Sequence, residues 1–134
     1  MMKKILSLLV IIVSFYGCKK DNSIDNSSGI IGKWSWISTC VGGGTVCMTP
    51  ASTNTSTMML FTSNAVFTIF KNDTLIESTS FQIYKSVSED GMNTSYAVKF
   101  DSGDTEIFSI AHDTLSLMNG VDFVSFTSRY NRIN

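Results

Sequence analysis

The chain has 134 residues, with 10 basic and 11 acidic side chains, one histidine and one proline. That length suits one domain, and a formal charge of −1 with no basic run longer than two residues argues against nucleic acid as a partner. Aromatic, β-branched and hydroxyl side chains dominate between turn residues, and no helical period of useful length follows the first 17 residues, so the composition predicts an all-β domain.

Residues 1–17 read as a signal peptide. Lys3 and Lys4 supply the positive start, Ile5 to Tyr16 the apolar stretch, and Gly17 the small residue before the cut. The apolar stretch is too short to span a bilayer, which takes about 20 residues. Cys18 follows directly, and Gly17-Cys18 resembles the lipobox of bacterial lipoproteins. That resemblance implies acylation of Cys18, a membrane partner through the lipid, and a place in the cell envelope on the outer membrane, at its periplasmic face or at the cell surface. The alternative is an ordinary secretion signal with an incidental cysteine. Residues 18–29 are polar and form the expected flexible tether; Lys19-Lys20-Asp21 loosely resembles a surface-export signal.

The domain is expected over residues 30–134, and its first strand over Ile30 to Thr39. Trp34 and Trp36 lie two apart, so on a strand both face the same way. Residues 40–56 form the longest irregular stretch, with Gly42-Gly43-Gly44 and Thr49-Pro50. Cys40 and Cys47 sit within it, and a disulfide between them would contribute about 2.5 kcal/mol in the chain-entropy model. A stapled loop in a short-looped domain is a candidate lid; the plain reading is that it carries the chain across one barrel end. Strands then follow at Ser56 to Thr62, Ala65 to Lys71, Leu75 to Val87, Thr94 to Phe100, Thr105 to Ala111, Thr114 to Met118 and Val121 to about Ile133. Asn72-Asp73, Asp90-Gly91, Ser102-Gly103-Asp104, His112-Asp113 and Asn119-Gly120 are the turn signals between them. Eight strands joined by short connections predict an up-and-down antiparallel barrel.

With those strands in place, Gly32-Lys33-Trp34 resembles the G-x-W start of the lipocalin first strand. The whole of residues 30–134 resembles the small lipocalin-like lipoproteins of the Bacteroidetes type. The resemblance implies that Gly32, Trp34 and a terminal arginine close one barrel end. Arg132 is the arginine chosen from Arg129-Tyr130-Asn131-Arg132. It also implies a small hydrophobic ligand. The inward candidates are Trp36, Phe67, Ile69, Phe81, Ile83, Tyr96, Val98 and Phe100.

Little in the sequence carries chemistry, and the expectation is a non-catalytic protein without a cofactor or metal. His112-Asp113 is a turn pair with no nucleophile in sequence reach. Gly42-Gly43-Gly44 lacks the lysine and helix of a phosphate cradle. Met58-Met59 suits core or rim. The function expected is ligand binding by an envelope-anchored barrel. The alternative is a protein-interaction module, an inhibitor or accessory subunit of an envelope complex, with a filled barrel. An open-ended apolar cavity of a few hundred Å³ separates the two.

Overall fold

The computed structural model describes residues 28–87, 89–121 and 124–134. The expected signal peptide, Cys18 and the tether as far as residue 27 lie outside the described residues.

Among the described residues nine strands form one antiparallel sheet. They are β1 (Gly32–Val41), β2 (Val46–Met48), β3 (Thr57–Phe61), β4 (Val66–Lys71), β5 (Thr74–Val87), β6 (Thr94–Phe100), β7 (Thr105–Ala111), β8 (Thr114–Val121) and β9 (Val124–Ile133). Strands β3 to β9 follow one another as neighbours, β1 pairs with β3 on one side, and β9 returns to pair with β1 on the other. The result is a closed eight-stranded barrel with β2 as a short extra arm. Closure gives both flanks of β1 partners and removes the open edges that eight strands in a flat sheet would leave.

Local chemistry sets the reversals. Asn72 and Asp73 both take positive φ, 48° and 62°, between β4 and β5. That geometry twists with the flanking strands, and Asn and Asp tolerate it better than most residues. The Asn72 side chain also accepts the Ser56 N–H at 2.8 Å, which ties this turn to the start of β3.

Two stretches differ from the sequence reading. Residues 40–56 are not irregular. The first strand runs on to Val41, turns through Gly42–Gly44, and comes back as β2, with Cys40 opposite Cys47. A short helix, α1 (Pro50–Thr53), follows. Thr49 caps it reciprocally with Ser52, and Pro50 fills the first position, where its missing N–H is not needed. The Asn119-Gly120 signal is also displaced. Pairing continues through Asn119↔Phe126 and Gly120↔Ser125 to Val121↔Val124, so Asn119-Gly120 lies within the β8–β9 ladder; residues 122–123 lie outside the described residues.

The two barrel ends are built differently. One end carries the chain entry at Gly29 and Ile30, the 62–65 and 112–113 turns and the C-terminus. The other carries the β1–β2 arm, α1 and the 72–73 and 101–104 turns. The core sits toward the first end. Trp34, Phe61, Phe81, Ile30, Leu115 and Val98 are its fully buried side chains. Phe61 stands edge-on to Phe81 at 5.2 Å between centroids and 4.9 Å from Phe67, the offset geometries that aromatic quadrupoles favour.

Candidate functional site

The entry end is sealed by three residues of the strands that close the barrel. Trp34 on β1 is wholly buried, and its indole N–H donates to the Ile30 carbonyl at 2.8 Å. Arg132 on β9 pairs with Trp34 across the closing seam and lays its guanidinium over the ring, 4.2 Å from the centroid. This cation–π contact is reinforced because Arg132 also donates to the carbonyls of Ile31 at 3.0 Å and Gly29 at 2.7 Å. Its backbone N–H donates to Asp113 O at 2.8 Å. Gly32 makes room for this arrangement. Its φ is 144°, and a Cβ there would lie 2.6 Å from Arg132 Nη1. Gly29 and Ile30 are thereby docked onto the barrel, although the sequence assigned residue 29 to a loose tether.

The opposite end starts two residues above Trp34. Trp36 faces Tyr130 of β9, but Ile37 has no partner and the pairing resumes at Ser38↔Arg129. This bulge puts one extra residue into β1 and reverses the parity above it. Thr39, which strict alternation would turn outward, therefore joins Trp36 on the inner face. There the Trp36 indole N–H donates to Thr39 Oγ1 at 2.9 Å, and Thr39 and Ser128 share a hydroxyl hydrogen bond of 2.8 Å. A second bulge falls in β5, where Ile69 pairs with Glu77 and Phe70 with Leu75, leaving Ile76 unmatched at the mouth.

Above these bulges the barrel is not filled. One chamber of about 300 Å³ lies under the α1 segment between Trp36, Thr39, Thr57, Ile69, Lys71 and Tyr130. A second, of about 180 Å³, is walled by Phe67, Phe100, Leu117 and Tyr130 and reaches Glu77, Asp104 and Glu106. Ile69 and Tyr130 border both chambers. Eight-stranded barrels have room for one small ligand, and a few hundred Å³ of mostly apolar, preformed space is the usual size of a small-molecule site.

Two titratable groups inside are perturbed. Burial raises the Glu106 carboxyl above its ordinary value of 4.5, and the nearby Asp104 charge raises it further; a hydrogen bond with Asn119 acts in the opposite direction. Burial pushes the Tyr130 phenol up to about 12, with the Glu106 charge adding to the rise and a hydrogen bond with Ser128 opposing it. Both shifts follow from charge being expensive in a space with little water.

Of the inward candidates read from the sequence, Trp36, Phe67, Ile69 and Phe100 line the chambers. Phe81 and Val98 are buried in the filled part, while Ile83 and Tyr96 pack against the core. Tyr130, Thr39, Glu106, Thr53 and Thr55 were not among them. Glu106 was legible in principle, since it shares the parity of Phe108 and Ile110 and so places a carboxylate on the apolar face of β7. Cys40 and Cys47 form a disulfide across the β1–β2 arm, with Cα atoms 4.1 Å apart. His112 is an exposed turn residue at the sealed end, far along the barrel from the chambers. Among the described residues no group of three His, Cys, Asp or Glu side chains is placed to hold a metal ion, and no helix is long and apolar enough to cross a membrane.

Comparison with family models, with characterised proteins and with solved structures finds no match to this chain.

Proposed function

We propose that this chain is a non-catalytic envelope protein, anchored by a lipid on Cys18, whose lipocalin-like barrel holds one small and largely apolar ligand. The observation that carries the binding reading is the pairing of one sealed end with one hollow end. Trp34 and Arg132 stop the barrel below, and the two chambers around Ile69 and Tyr130 open above. A barrel built only for its outer surface has no need of the hollow half. The lipocalin-like reading draws on Gly32, Trp34 and Arg132 meeting at one seam. The anchor reading draws on the leader pattern alone.

Native mass spectrometry of the protein purified from its own envelope tests the binding reading. A small molecule that co-purifies and leaves on denaturation is expected. Its absence, together with unchanged behaviour of an Ile69→Trp variant that fills the space between the chambers, would count against the proposal. Cys18→Ala should move the protein from the membrane fraction to the soluble one.

A second reading, contact with another envelope protein, has one observation in its favour. Tyr84, Ala97, Ile107 and Met118 stand in register across β5 to β8 on the outer wall. Tyr84, Ile107 and Met118 are 43–51 % exposed. If Ile107→Glu releases a co-purifying protein while ligand binding persists, the outer wall is the working surface.

A further inference from the structure

The two chambers carry opposite charge. The larger has Lys71 as its one charged side chain. The smaller has Glu77, Asp104 and Glu106, and no lysine, arginine or histidine among its lining residues. Its walls are aromatic. Phe67 and Phe100 stand 4.7 Å apart between centroids, and Tyr130 closes the third side. A carboxylate set among ring faces is how proteins recognise ammonium groups. The carboxylate supplies the counter-charge, and the negative faces of the rings supply the rest of the solvation shell.

Glu106 is the member placed for this. It points inward on β7, opposite Val98 of β6, with Leu117 and Asn119 of β8 and Tyr130 of β9 around it. The charged groups bordering its chamber are Asp104 from the 101–104 turn and Glu77 from β5, and both are acids. No basic side chain is among the described residues that line the chamber. Burial, and after it the Asp104 charge, raise its proton affinity.

We propose that the smaller chamber is a cation subsite, which seats the protonated amine of a small aralkylamine-like ligand against the Glu106 carboxylate with the Phe67, Phe100 and Tyr130 rings as walls. This rests on the ligand-binding reading above and adds its charge selectivity. The amine replaces part of its hydration with Glu106 and the ring faces, and the apolar body extends past Ile69 and Tyr130 toward Trp36. An anionic ligand of the same shape meets three carboxylates and is excluded.

Three probes of one shape test it: 1-naphthylmethylamine, 1-naphthalenemethanol and 1-naphthoate, each titrated calorimetrically into the purified protein at neutral pH. The amine should bind about tenfold more tightly than the alcohol, and the naphthoate weakest of the three. Glu106→Gln should bring the amine down to the level of the alcohol and leave the alcohol within about twofold. Asp104→Asn should lower the amine preference by a smaller factor. Melting curves run alongside separate loss of binding from loss of fold. Alcohol binding at least as tight as amine binding would overturn the charge selectivity and leave the ligand cavity standing. Retention of the amine preference in a folded Glu106→Gln protein would remove Glu106 from the role. Failure of all three probes to bind would overturn the ligand cavity itself.

Discussion

The lower and upper halves of the same β1 strand behave as two different materials. Below Ile37, Trp34 is enclosed on all sides, hydrogen bonded to Ile30 and stacked under Arg132. Two residues further along, at the bulge, Trp36 is only partly buried, bonded to a threonine hydroxyl and exposed to an open chamber. The bulge at Ile37 follows Trp36 directly. By shifting parity, the bulge brings the Thr39 hydroxyl onto the inner face beside Trp36 and gives the cavity a polar edge, because side chains alternate faces along a strand.

The contrast can be tested most sharply at the two tryptophans. Trp34→Ala should destabilise the protein by about 3–5 kcal/mol, since it leaves a large void and strips the stacking surface from Arg132. Trp36→Ala should cost about 1 kcal/mol or less, as a half-buried side chain beside existing empty space, while weakening ligand binding. Thermal melts of the two variants, with equal losses in both, would erase the distinction between the halves.

Opening the Cys40–Cys47 bridge comes next, at about 2.5 kcal/mol. It should loosen the β1–β2 arm and leave the seal intact, so hydrogen exchange should rise around residues 39–48 and not at Ile30 or Arg132. Gly32→Ala should follow at about 1–3 kcal/mol, because alanine resists the φ of 144° and its methyl displaces Arg132 Nη1. Its damage should appear at the sealed end, with ligand affinity little changed.

The smallest effects come from protons. Tyr130 titrates later in the folded chain than in the unfolded one, at about 12 against 10. Its contribution to stability is therefore whole below pH 10 and lost as the pH rises through about 12. Phenolate absorbance should show one tyrosine ionising last and together with unfolding. Glu106 is an acid with a raised folded value, so its burial favours the fold only while it is protonated. The stability it lends is present below about pH 4.5 and fades as the pH passes its folded value. Glu106→Gln should flatten that part of the melting profile.

Much of this architecture was written into the alternation of residues. The β4 to β7 strands fall within a residue of their sequence limits because Phe67, Phe81, Val98 and Phe108 mark the inner face at every second position. What was hidden had a local cause. Val46-Cys47-Met48 is exposed throughout, so β2 has no apolar period to announce it. Asn119-Gly120 stays in the β8–β9 ladder because cross-strand pairing outweighs a favoured turn dipeptide. The cavity was the least legible feature. Thr39 reaches it only through the Ile37 bulge, and a hollow depends on what side chains fail to fill, which no single residue declares.

The polypeptide joins the barrel at its stoppered base, where Arg132 grips Gly29. Ten residues lie between Cys18 and Gly29, a leash no longer than about 35 Å at full stretch. If that leash ends in lipid as proposed, the barrel is moored through its stoppered base and not through its rim. The mouth of the chambers would then lie at the far end of the barrel from the point where the anchor joins it.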